Sequence, residues 1–103
     1  MKKNEVMLKI AQETYYIRRM FESCKTMEQH KNTNNLACFL VDKWSWYEKA
    51  FGFSDAIDIS KRIMKAAGDM TLFYDQAKDR ILKTKNSVIH TGYWDRYYDR
   101  VNR

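Results

Sequence analysis

Apolar residues recur every three or four positions from Ala56 to Ile81. Ile59, Ile63, Ala66, Ala67, Met70, Phe73, Tyr74 and Ala77 lie between them on one helix face. Lys61, Arg62, Lys65, Asp69, Asp75, Lys78 and Asp79 mostly occupy the opposite side. The pattern predicts a helix over residues 54–83, capped by Ser54, with Asp55 and Asp58 near its positive end. A single helix cannot bury so wide a stripe against itself, so other helices or a second copy must cover it. Gly68 is the weak point, because Gly costs about 1 kcal/mol relative to Ala in a helix. The apolar phase nevertheless runs from Ile63 through Met70 to Ile81 without a slip, which favours one continuous or kinked helix over two.

Two helices are predicted upstream. Over residues 5–28, Val6, Ile10, Ile17, Phe21 and Cys24 form one seam, which Met7, Ala11, Met20 and Met27 widen. Asn4 is the expected cap, and Arg18 and Arg19 stand within ion-pair reach of Glu22. Residues 28–35 are polar and Asn-rich, the composition of a loop. Over residues 35–51, Leu36, Phe39, Leu40, Lys43, Tyr47, Ala50 and Phe51 keep helical spacing, and Gly52 supplies a stop. Trp44 and Trp46 fall about 200° apart on the helix wheel, so only one of them can face the core.

Residues 84–92 read as a connector, and Thr91 as the cap of a short last helix from Tyr93 to Val101. The expected fold is all-α: a small helical bundle of three main helices plus a short C-terminal helix, antiparallel, with residues 1–103 as one domain. The absence of Pro and the presence of only three Gly argue against a sheet protein, which needs many tight turns. A chain this size hides roughly 60–65% of the surface its unfolded form exposes, which leaves little room for a deep catalytic cleft beside a full core.

Candidate chemistry is sparse. His30 and His90 fall in predicted loops, and neither has a Cys, His or acid at the spacing of a metal knuckle. No nucleotide-binding, hydrolase or zincin motif occurs. The acid pairs Asp75/Asp79 and Asp95/Asp99 are one turn apart on faces that read as solvated. Neither an enzyme, a metal nor a cofactor is expected. Cys24 and Cys38 are too few for a disulfide scaffold and sit at apolar helical positions, which predicts buried thiols. No signal peptide and no membrane-length apolar run is evident, which makes a reducing cytoplasm the default setting.

The aromatic supply exceeds what the core needs. Phe21, Phe39, Phe51, Phe73 and Tyr47 can fill the interior, which leaves Tyr15, Tyr16 and one of Trp44 and Trp46 over. The C-terminal segment adds Tyr93, Trp94, Tyr97 and Tyr98. On a helix, Trp94, Tyr97, Tyr98 and Val101 form an apolar edge, and Arg96, Arg100 and Arg103 form a column able to grip carboxylates or phosphates in forked geometry. Tyr15, Tyr16, Arg18 and Arg19 are a second candidate surface. Tyr, Trp and Arg are the types that dominate binding hot spots. The function these residues predict is that of a small non-enzymatic binding protein, a regulator, adaptor or inhibitor of the kind phages and mobile elements encode, docking on a protein partner. The alternative is a basic nucleic-acid-binding accessory protein. The net charge of +6 favours phosphate polymers, but the basic residues are interleaved with acids and form no dense tract. Self-association to a homodimer is also expected.

Overall fold

The computed structural model describes residues 1–90, with side chains as far as Thr84. Three helices account for nearly all of them: α1 (Lys3–Ser23), α2 (Met27–Glu48) and α3 (Phe53–His90). No strand occurs among the described residues. Each helix packs on the other two. The direction of each follows from its contacts. Lys3 at the start of α1 bonds to Asp58 near the start of α3, and Arg80 far along α3 bonds to the end of α1, so these two helices run parallel. Glu13 meets Trp44, and Cys24 meets Thr33, so α2 runs against α1. The predicted short helix from Tyr93 to Val101 lies outside the described residues.

In α1 the predicted seam is the buried one: Val6, Ile10, Ile17, Phe21 and Cys24 all lie inside. Met20 and Met27, expected to widen it, are exposed instead. The start also differs, with Lys2 rather than Asn4 in the cap position. The Glu5 carboxylate accepts the Lys2 backbone N–H at 3.4 Å.

The largest departure concerns α2. The polar stretch 28–35 is helix, not loop, and α1 ends at Ser23 rather than at residue 28. Thr26 accounts for the change. Its hydroxyl accepts the backbone N–H of Gln29 at 3.1 Å, and the Gln29 side chain accepts the N–H of Lys25 at 2.8 Å. This reciprocal cap starts the helix eight residues earlier than its apolar pattern suggests. Polarity misleads here because Glu28, Gln29, Lys31, Asn32 and Asn35 are exposed while His30 and Thr33 turn inward. The core stripe of α2 is therefore His30, Thr33, Ala37, Leu40 and Trp44, with Val41, Tyr47 and Phe51 packed at its edge. Leu36 and Phe39, expected in the core, lie outside it.

In α3 the predicted stripe is confirmed. Ile59, Ile63, Ala66, Met70, Ala77 and Ile81 are buried, and Phe73 and Tyr74 pack against them. The helix runs unbroken through Gly68, as the unslipped phase indicates. It begins at Phe53, with Gly52 rather than Ser54 preceding it: the Ala56 N–H bonds to the Gly52 carbonyl at 2.9 Å. It also continues to His90 through most of the expected connector. At 1.5 Å per residue its 38 residues span about 57 Å, so it outruns α1 and α2.

Three contacts lock the bundle. Arg80 donates to the carbonyls of Phe21 and Cys24 at 2.8 and 2.9 Å, which satisfies acceptors that the end of α1 leaves open. His30, expected in a solvated loop, is buried between Phe21 and Tyr74, with ring centroids 5.3 and 4.2 Å away. Lys3 holds Asp58 at 3.0 Å and Asp55 at 3.6 Å. The hydrogen bond to Asp58, then its charge, raises the Lys3 ammonium above its ordinary range.

Candidate interaction face

The two tryptophans of α2 divide as the helix wheel requires. Trp44 is fully buried, and its indole N–H donates to the Glu13 carboxylate at 3.0 Å. The other oxygen of Glu13 accepts from Lys43. The indole's one polar group is thus satisfied inside, as burial of a tryptophan requires. Trp46, two residues on, is 70% exposed. Its only charged neighbour of note is Lys49, whose ammonium lies 4.6 Å from the ring centroid. Phe39 stands seven residues before Trp46, two turns back on the same outer stripe, and is 61% exposed. Two large aromatic residues on one solvated stripe are unusual for a chain with a core of its own.

The exposed apolar surface continues towards α1. Leu36 lies on the flank of α2 nearer α1 and is partly exposed. Across the α1–α2 contact, Tyr16 and Met20 are exposed and line an open cleft with Arg19, Ser23, Gln29 and Thr33. Tyr15 and Tyr16 border a second shallow depression with Ala11 and Gln12. Leu8, about one turn before Gln12 and about two before Tyr15, adds to the outer side of α1. Lys43, which bonds to Glu13, and Lys9 also attend an aromatic ring. Lys9 and Lys43 both lie about 6 Å from the Tyr47 ring.

The four α1 residues singled out from the sequence divide between two flanks of the helix. Tyr15, Tyr16 and Arg19 belong to the surface just described. Arg18 turns the other way, towards α3. Its guanidinium lies 5.8 Å from the Phe73 ring centroid and 3.8 Å from Glu22. The reason is the 100° step of the helix, which sends neighbours Arg18 and Arg19 to different flanks. The C-terminal candidates Trp94, Arg96, Tyr97, Tyr98, Arg100 and Arg103 lie outside the described residues. Phe39, Met20 and Leu36 are the surface residues that sequence reasoning misplaced in the core. Once Thr26 is taken as the cap, His30 and Thr33 set a core phase that puts Phe39 on the outside.

A second open surface lies between α2 and α3. Ala37, Cys38, Val41, Ala67, Met70 and Tyr74 line an apolar groove of about 300 Å³. Cys38 is exposed there rather than buried, because it sits about 100° from Ala37 on the α3 side; only Cys24 is an interior thiol. Cys24 bonds to the Met20 carbonyl at 3.2 Å and lies 3.4 Å from the Thr33 hydroxyl.

Among the described residues, no three His, Cys, Asp or Glu side chains group closely enough to hold a metal ion. None of the described helices is long and apolar enough to cross a membrane. The chain matches no protein-family model, no curated protein and no solved structure.

Proposed function

We infer that this protein is a non-enzymatic binding protein that docks on another protein through the face formed by α1 and the outer side of α2. The observation that carries this reading is the exposure of Phe39 and Trp46 on one stripe while Trp44 is fully buried between them. Tyr15, Tyr16, Met20 and Leu36 extend that stripe into a broad aromatic surface. Such residues contribute the anchors of protein interfaces, where a few aromatic side chains supply most of the affinity. The surface is shallow, and its groups are suited to covering a partner rather than to enclosing a small substrate.

A second reading is supported by the cations that attend the same aromatics. Lys49 stands over Trp46, and Arg19 shares a cleft with Tyr16. Aromatic rings flanked by cations also take single-stranded nucleic acid by stacking and phosphate contact. The net charge of +6 adds attraction. Arg96, Arg100 and Arg103, which lie outside the described residues, would serve either partner by their chemistry.

Affinity capture from the native host, with and without nuclease, separates the two. Capture that survives nuclease and is lost in Phe39→Ala/Trp46→Ala supports the protein partner. Capture abolished by nuclease, together with affinity for single-stranded nucleic acid that falls steeply with salt, would replace it with the nucleic-acid reading. Capture unchanged by the double substitution would remove this face from both.

A further inference from the structure

We propose that the outer stripe of α3 is a homodimer interface, in which two copies of the chain pack their α3 helices antiparallel about a two-fold axis at Ala67–Gly68.

The helix carries two apolar stripes. One enters the bundle. The other, Phe53, Ile57, Met64 and Leu82, lies on the side that borders α2 and is left exposed among the described residues, mostly so at Phe53 and Met64 and partly at Ile57 and Leu82. Phe53 is 84% exposed and Met64 71%. Phe53, Ile57, Met64 and Thr71 follow at gaps of four, seven and seven residues, which keeps them within one stripe of the helix.

The stripe is self-complementary when reversed. About a centre between residues 67 and 68, Phe53 falls opposite Leu82 of the second copy, Ile57 opposite its Lys78, whose aliphatic stem can cover it, Met64 opposite its Thr71, and Ala67 opposite its Gly68. Large groups close the two ends, and the smallest residues meet in the middle. Met64 is carried to the rim of the groove between α2 and α3 of the other copy, where Thr71 forms part of the lining. A two-fold interface requires this reciprocity.

Gly68 supplies an independent reason. Glycine weakens a helix interior, yet a Cβ at Gly68 would meet nothing within 4 Å. No packing within the chain therefore calls for glycine there. At the two-fold axis a missing side chain lets two helices approach closely.

The charges also match. Lys61 and Asp75 form no ion pair among the described residues. They are 14 residues apart on one helix, about 21 Å, and cannot reach each other within a chain. In the reversed copy each falls beside the other, and the symmetry makes the pair twice. The strip from Phe53 to Leu82 is about 43 Å long, about four heptads. A stable interface buries on the order of 800 Å² per partner, so the flanks of α2 must contribute beside this strip.

The test is a dilution series of the full chain by sedimentation velocity, with helicity of every variant checked by circular dichroism. The wild type is expected to form a reversible dimer. Lys61→Glu alone and Asp75→Lys alone are each expected to weaken it about tenfold, because a reversed charge acts twice by symmetry. The double variant K61E/D75K is expected to recover most of that loss. Trp46→Ala, on the other face, is expected to leave the dimer unchanged. A wild type that stays monomeric at every concentration would overturn the proposal. So would single variants that dimerise normally, a double variant no better than either single one, or a dimer lost in Trp46→Ala.

Discussion

His30 and Tyr74 join α2 to α3 by a 3.0 Å hydrogen bond from the imidazole Nε2 to a main-chain carbonyl. A carbonyl only accepts, so Nε2 carries the proton. The imidazole is buried between the rings of Phe21 and Tyr74, tilted to both, which ties one polar side chain into all three helices. Replacing it by alanine removes the bond and leaves a cavity. His30→Ala is therefore expected to cost about 2–4 kcal/mol. His30→Gln, which can present an N–H at a similar reach, should recover part of the loss. Urea denaturation measures both, and a His30→Ala midpoint equal to the wild type would show that the contact contributes nothing.

Arg80 offers a test of helix-end satisfaction across helices. Its guanidinium donates to two carbonyls that terminate α1. A lysine carries the same charge but cannot present the planar fork. Arg80→Lys is expected to cost about 1 kcal/mol and Arg80→Ala about 2 kcal/mol. Hydrogen exchange should quicken first in the last turn of α1. Equal stability of the lysine variant and the wild type would mean that charge alone matters there.

Trp44 and Trp46 should behave as opposites. Trp44→Ala opens the core and takes from Glu13 one of its two partners, at an expected cost of about 3–5 kcal/mol. Trp46→Ala removes an exposed ring and should change stability by less than about 0.5 kcal/mol. Its effect belongs to binding, where loss of a central aromatic anchor weakens a complex by about 2 kcal/mol or more. Thermal melts and titration of the captured partner read the two quantities separately. A stability loss in Trp46→Ala comparable to that of Trp44→Ala would contradict this division.

The clamp between Lys3 and its two aspartates gives a pH dependence with a defined sign. The folded state holds the ammonium above its ordinary value of 10.5, mainly through Asp58. The stabilisation is therefore complete below that value and is lost as the pH rises through the folded one. Solvent exposure keeps it small. Comparing wild type and Lys3→Met from about pH 9 to about pH 12 should show the difference between them shrinking towards zero. A difference that stays constant over that range would detach Lys3 from the titration.

The periodicity of the chain by itself determined the helical class, the buried seam of α1 and the continuous stripe of α3 through Gly68. Those features depend on spacing along one helix, and spacing is local. Val6, Ile10, Ile17 and Phe21 are apolar whichever element covers them. The start of α2 was also written locally, in the reciprocal cap of Thr26 and Gln29; only the tertiary structure decided which of its faces is inward. His30 and Thr33 are polar: His30 is held inside by the carbonyl of Tyr74, distant in sequence, while the Thr33 hydroxyl donates to the Gln29 carbonyl of its own helix and lies beside Cys24. Glu13 likewise decides which tryptophan is inside, by accepting the indole N–H of Trp44. With that phase set, Phe39 and Trp46 are left on the outside together, and Arg18 parts from Arg19. A buried polar group is stable only when a partner meets it, and that partner comes from another helix, so no pattern along a single segment can announce it.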